Sequence, residues 1–282
     1  MSSRSPMVLG RDERGYLDEV DGLLADGVGQ LGNATGVLLP LAGAGSRHRA
    51  RLLFALAHDR ARPHPMASGG AAVELLHLGT LVHDDIVDGA AERRHHPAAH
   101  HALGVPVALW AADALFARAV SLAGSVGPPA ADAACTALER VAASQILEAA
   151  QPPAAAYWEV VDGKTGALFV AVAEIADVLV GGTLGPDVAT SAAAFGRLFQ
   201  YVDDLHDLTA QPGDLGKPVG QDAKNRLETL PALDLARSPG AVAQRIAGLR
   251  HDVLDPLGDD PARPRLEAAV HQVLRTLPEL AP

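Results

Sequence analysis

Leu75-Leu76-His77-Leu78-Gly79-Thr80-Leu81-Val82-His83-Asp84-Asp85-Ile86-Val87-Asp88 is the stretch that decides how this chain is read. Leu75, Leu76, Gly79, Val82 and Ile86 recur at helical spacing and form an apolar stripe. The stripe runs into three aspartates, Asp84, Asp85 and Asp88, spaced D-D-x-x-D. Positions i and i+4 of a helix share a face, so Asp84 and Asp88 project together. A second copy, Asp203-Asp204-Leu205-His206-Asp207, ends another apolar, helix-forming stretch and pairs Asp203 with Asp207 in the same way. Carboxylates without a counter-charge at the end of a buried helix are costly. Two such trios imply one shared cationic partner, and a cluster of divalent metal ions is the natural candidate. Mg2+ suits the role because it prefers carboxylate oxygens, keeps waters and bridges protein to phosphate.

Composition limits the remaining choices. The chain has 282 residues, 48% of them hydrophobic but only 4% aromatic, so its core is built of Ala, Leu and Val. That mixture favours closely packed helices over a sheet. A net charge of -11 argues against general affinity for nucleic acid or an anionic membrane surface. Cys135 is the only cysteine, which precludes an internal disulfide and fits a reducing, cytoplasmic setting. Met1 to Tyr16 is polar and mixed in charge, unlike a signal peptide, with a polar tail over about 1–13. The apolar run Ala167–Val180 is broken by Glu174 and Asp177, and is too short to span a bilayer.

Helical periodicity recurs over roughly 14–32, 47–60, 106–125, 130–150, 155–181, 187–209, 223–237, 239–255 and 263–278. Pro- and Gly-rich breaks separate these segments, as at Pro152-Pro153 and Gly181 to Pro186. No alternating strand pattern and no compositional boundary stands out. The expectation is a single all-α domain over 1–282.

Basic residues accompany the carboxylates. Arg93 and Arg94 follow the first cluster, Lys217 follows the second, and Lys164 precedes Thr165 in another helix. Arginine forks and lysine point charges both suit phosphate oxygens. His77, two turns before Asp84, and Gln200, one turn before Asp204, lie where they would line a cavity leading to the metals. The run His95-His96-x-x-x-His100-His101 reads as a polar loop rather than a zinc site. Trp110 is expected in the core, and Tyr201 either in the core or on the cavity wall.

The ordered set of motifs resembles the all-trans isoprenyl diphosphate synthases, or polyprenyl synthetases. The resemblance runs from about Gly45 to Pro231 through Arg47-x-Arg49, Glu74-x-x-His77, the first aspartate cluster and Arg93-Arg94-x-x-Pro97-x-x-His100. It continues through Gln145, Lys164-Thr165, Phe199-Gln200 with the second cluster, Gly216-Lys217-Pro218-x-Gly220-x-Asp222 and Thr229-Leu230-Pro231. It implies an isoprenoid-synthase-type helical bundle around a deep central cavity, and a homodimer, with a heteromer as the alternative. It further implies Mg2+, usually three ions, held with the diphosphate of an allylic substrate by Asp84, Asp85, Asp88, Asp203, Asp204 and Asp207. Arg93, Lys164 and Lys217 match residues that contact that diphosphate; Arg49, His77 and Arg94 match residues that hold isopentenyl diphosphate. Arg47, Thr165 and Gln200 complete the substrate-binding candidates, and Lys164 is also counted as catalytic. The charges nearly cancel: six carboxylates and a diphosphate total about -9, three Mg2+ about +6, and the three basic residues about +3.

This chain departs from the family pattern beside the acceptor. Ser46 stands where a lysine is common, His95 where glycine is common, and Arg226-Leu227 where a Gly-Lys pair is common. The segment after Pro231 is shorter than usual. The expected reaction is condensation of an allylic diphosphate with isopentenyl diphosphate. A terpene cyclase that ionises a prenyl diphosphate without that acceptor stays open, as does a helper subunit of a heteromeric synthase. Gly79, lacking a side chain, would leave the cavity floor open to products beyond fifteen carbons (a floor that a bulky aromatic there would close).

Overall fold

A computed structural model describes residues 12–58, 63–150, 154–209 and 230–276. Its centre is α4 (Pro63–Asp88), in which Ala71, Ala72, Val73, Leu75 and Leu76 are fully enclosed. A helix apolar around so much of its circumference needs neighbours on most sides. They are α1 (Asp12–Gly29), α3 (His48–Ala57), α6 (Val105–Val126) and α9 (Ala167–Leu179). α7 (Pro128–Ala149) and α10 (Pro186–Thr209) pack on α9, so α4 and α10 carry their aspartates at their C-terminal ends within one bundle. α2 (Thr35–Gly43) follows α1, and α5 (Ala99–Leu103) leads into α6. After α10, α11 (Leu230–Arg237) and α12 (Pro239–Leu254) pack on its outer side, and α13 (Arg263–Leu274) returns to α3. There Arg265 Nη1 donates to the Ala55 carbonyl at 3.0 Å.

One contiguous apolar cluster runs from Tyr16 on α1 to Val273 on α13, dominated by Ala, Leu and Val as the composition predicts. The buried Tyr16 hydroxyl donates to the Ala50 carbonyl at 3.0 Å, and Glu74 Oε1 on α4 accepts the Ala50 N–H at 3.1 Å. Glu74 thereby caps the first turn of α3 from a neighbouring helix, satisfying a donor that the helix cannot satisfy itself.

The all-α expectation matches this architecture, with differences at three places. α2, with Pro40 inside it, has no counterpart in the periodicity. The expected single helix over 155–181 is interrupted: α8 (Tyr157–Val161) passes into a π-helical turn, Asp162–Gly166, before α9 begins. Trp110, expected in the core, is 73% exposed. It lies with Val105, Val107 and Leu109 on the outer side of α6, because α4 meets the opposite, alanine-rich side. Tyr201 is fully buried and donates to Asp234 Oδ2 at 3.0 Å, which places it in the core. By length and composition α6 resembles a membrane span, although it packs on both α4 and α7.

Candidate active site

α4 ends at Asp88, and Gly89 (φ 63°) takes the left-handed conformation that closes many helices. A short hairpin follows, pairing Glu92–Arg93 with His96–Pro97. Its turn residues Arg94 and His95 are left-handed, at φ 53° and 63°. The hairpin brings Arg93 back over the helix end, where its Nε donates to Asp85 Oδ1 at 2.9 Å and its Nη2 reaches the same oxygen. Burial alone would lower the Arg93 pKa; the Asp85 hydrogen bond and the charges of Asp85, Asp84 and Asp88 outweigh it and hold the guanidinium above its ordinary value.

Asp84 accepts a hydrogen bond from Gln145 on α7 and lies 3.7 Å from Lys164 Nζ. Burial raises its carboxyl from 3.8 to about 6, because the favourable Lys164 charge is countered by Asp88 and Glu148. Asp88 is raised by the same burial. Lys164 donates to Glu148 Oε2 at 2.8 Å. Desolvation opposes its charge, but Asp84, Glu148 and Asp88 more than compensate, so the ammonium stays protonated. Glu148 thus adds a fourth carboxylate beside Asp84, Asp85 and Asp88. Its spacing after Gln145 was visible in the sequence, but a lone Glu on an amphipathic helix carries no signal of its own.

The π-helical turn joins the two clusters. Lys164 reaches toward Asp84, while the adjacent Thr165 hydroxyl donates to Gln200 Oε1 at 2.6 Å on α10. Gln200 Nε2 then donates to Asp204 Oδ1 at 2.7 Å, and Tyr157 donates to Asp204 Oδ2 at 2.7 Å. An extra residue in a helical turn redirects its side chains, a common device at functional sites. Two glycines permit the close approach: a Cβ at Gly196 would lie 2.7 Å from the Gly166 Cα. On the outer side Asp162 receives both Nε and Nη2 of Arg197, at 2.6 and 2.5 Å. Tyr157, Asp162 and Arg197 were not predicted.

A second basic group lies beside the first cluster. Arg47, Glu74, His77 and Arg94 line a small cavity together with Leu24 and Ala42. Arg47, left-handed at φ 60°, donates to Asp21 at 2.7 Å and to the Gly45 carbonyl at 3.3 Å. Arg94 Nη1 donates to the Leu41 carbonyl at 2.7 Å. Arg49 lies 5.0 Å over the Phe169 ring, and burial lowers its guanidinium to about 10. Its Nε is enclosed without a hydrogen-bond partner among the described residues. Burial pushes His77 well below its ordinary value, with help from Arg49, Arg94, Arg93 and His48. Burial lowers His48 to about 4, so both imidazoles are neutral near pH 7.

The structure therefore brings together the first aspartates, Arg93, Lys164, Thr165, Gln200 and Asp204, with Arg47, Arg49, His77 and Arg94 grouped beside them. Asp203 acts electrostatically on Arg49. Asp207 is largely buried in the last turns of α10. Lys217, Gly216-Lys217-Pro218 and Arg226-Leu227 lie outside the described residues. The expected opening beside Gly79 is filled: a Cβ there would lie 2.8 and 3.0 Å from Cδ1 and Cζ of Phe116 on α6.

Among the described residues, no three His, Cys, Asp or Glu side chains close around one point. Asp84, Asp85 and Asp204 instead each accept a hydrogen bond from a protein donor. The donor set still fits Mg2+: it is all carboxylate oxygen, partly desolvated, and this ion completes its shell with water and phosphate oxygens.

The sequence matches the polyprenyl synthetase family over residues 31–251. The chain belongs to the polyprenyl synthetase family. It is 31% identical to a nonaprenyl diphosphate synthase of Mycobacterium tuberculosis over 229 residues, covering 77% of this chain and 68% of that one. It is 32% identical to a (2E,6E)-farnesyl diphosphate synthase of Mycobacterium bovis over 246 residues, covering 82% and 67%. A polyprenyl synthase from Caulobacter crescentus, solved with calcium and isoprenyl diphosphate, superposes with a TM-score of 0.72 at 27% identity, covering 93% of this chain and 89% of that one. These relatives make products of very different length, so membership alone does not set the product.

Proposed function

We propose that this chain is a Mg2+-dependent all-trans prenyltransferase that joins an allylic diphosphate to isopentenyl diphosphate. The observation that supports this reading is that two polar groups of different character lie side by side. One combines the aspartates with Arg93 and Lys164; the other is a basic pocket lined by Arg47, His77 and Arg94, with the buried Arg49 acting electrostatically on His77 and Arg94. A cyclase needs only the first. The second retains three guanidiniums although Ser46 is not lysine, and Arg47, beside Ser46, supplies a buried charge in its place.

In this reading Asp84, Asp85, Asp88, Asp203, Asp204 and Asp207 hold the metal, and Arg93, Lys164 and Lys217 contact the allylic diphosphate. Thr165 and Gln200 orient Asp204, and Lys164 keeps its proton because three carboxylates surround it. Bound Mg2+, three ions by family habit, would neutralise the diphosphate and stabilise it as a leaving group. Arg49, His77 and Arg94 hold the acceptor diphosphate so that its double bond faces the allylic carbon. Exclusion of water from the site would protect the carbocation. Carbon–carbon bond formation then ends with loss of a proton from the acceptor. The exposed apolar side of α6, with Trp110, Val107 and Leu109, supports a homodimer. We read residues 1–282 as one domain.

The test is turnover of allylic diphosphates with Mg2+, with and without isopentenyl diphosphate. Elongated diphosphates that require isopentenyl diphosphate support the proposal. Hydrocarbon or alcohol products formed without it establish a cyclase instead.

A further inference from the structure

The basic pocket contains an acid that its proposed task does not call for. Glu74 sits in the middle of α4, one turn before His77, and is 7% exposed. It lines the same cavity as Arg47, His77 and Arg94. Its favourable charge is felt by both Arg49 and Arg94, yet among the described residues neither guanidinium donates to it: Arg94 bonds the Leu41 carbonyl, and Arg49 Nε has no hydrogen-bond partner there. Asp203 supports Arg49 and Asp85 supports Arg94, but those carboxylates belong to the metal clusters. Asp21, the partner of Arg47, is half-exposed at the rim. Glu74 is therefore the buried negative charge inside the pocket.

A pocket built to take a diphosphate gathers guanidiniums that repel one another when it is empty. An internal carboxylate relieves that repulsion and opposes the incoming anion by the same charge. We propose that Glu74 is a built-in counter-anion of the acceptor pocket, which steadies Arg49 and Arg94 between turnovers and weakens the hold on the acceptor diphosphate. Glu74 is a positioning residue that need not touch the reacting atoms. A pocket emptied and refilled at every elongation step gains from weak retention. This inference rests on the acceptor reading above.

Glu74→Gln removes the charge and leaves an oxygen able to accept the Ala50 N–H. Inorganic pyrophosphate in EDTA is the probe, because without divalent metal the aspartate clusters repel it. Binding is measured by calorimetry, and thermal unfolding is followed with and without the probe. Glu74→Gln should melt earlier than wild type without pyrophosphate, bind pyrophosphate on the order of tenfold more tightly, and be stabilised more by it. With Mg2+ and substrates its KM for isopentenyl diphosphate should fall while kcat does not rise. Glu74→Asp keeps the charge and should bind pyrophosphate as wild type does, whatever it loses as a cap. Should Glu74→Gln not fold alone, saturating pyrophosphate must restore its folded signal. Equal or weaker pyrophosphate binding by Glu74→Gln, or failure of that rescue, overturns the counter-anion role. Absence of pyrophosphate binding to wild type and variant alike overturns the acceptor reading itself.

Discussion

Replacing Asp84 with asparagine should make the metal-free protein more stable while abolishing its activity. Asp84 sits in the last turn of α4 with 14% of its side chain exposed, and burial moves its carboxyl from 3.8 to about 6. Because the folded value lies above the unfolded one, the folded state keeps a proton that the unfolded state has already released. Between those two values stability falls as pH rises. The contribution is fully present below the unfolded value and is lost by the time pH passes the folded one. A shift of about two units corresponds to roughly 3 kcal/mol, an order-of-magnitude figure. Asparagine carries no charge, and its carbonyl can still accept from Gln145. Lys164 retains Glu148 at 2.8 Å. Urea unfolding in EDTA should show Asp84→Asn more stable than wild type at neutral pH by about 1–3 kcal/mol, with the gap shrinking toward pH 4. Mg2+ added on top of pyrophosphate should stabilise wild type further and add little to the variant. A variant no more stable at neutral pH, or a gap independent of pH, would refute the claim that Asp84 is held at an electrostatic cost for the metal.

Two further outcomes follow from the backbone and from packing. His95 occupies a left-handed position (φ 63°), a conformation glycine adopts without Cβ strain, so His95→Gly should raise the unfolding free energy from urea titration by up to about 1 kcal/mol; a lower value would mean that the imidazole makes contacts worth more than the strain. Phe116 fills the space beside Gly79, so Phe116→Leu should lengthen the longest product and Gly79→Phe should be poorly tolerated unless Phe116 is also reduced; product chromatography that shows no change for Phe116→Leu would remove Phe116 from the cavity floor.

What the sequence made legible was the part encoded by local spacing. Low aromatic content with 3.6-residue periodicity announced a helical bundle, and two D-D-x-x-D clusters marked the helix ends where charge gathers. Periodicity could not reveal the π-helical turn at Asp162–Gly166, since one extra residue leaves the apolar pattern almost intact while turning Lys164 and Thr165 toward different clusters. It misplaced Trp110 because a large ring signals burial only on average, and the buried side of α6 is filled with alanine to let α4 approach. Gly79 misled for the opposite reason. The absence of a side chain on one helix says nothing about what its neighbour inserts, and here Phe116 occupies the gap. Glu148 and Tyr157 were equally invisible as actors, and Glu74 stood out only as part of a motif, because each gains its role from a partner distant in sequence: Lys164, Asp204 and Ala50. Spacing along a helix thus located the charges that must be neutralised. The residues that neutralise, orient or oppose them became identifiable only once the helices were placed side by side.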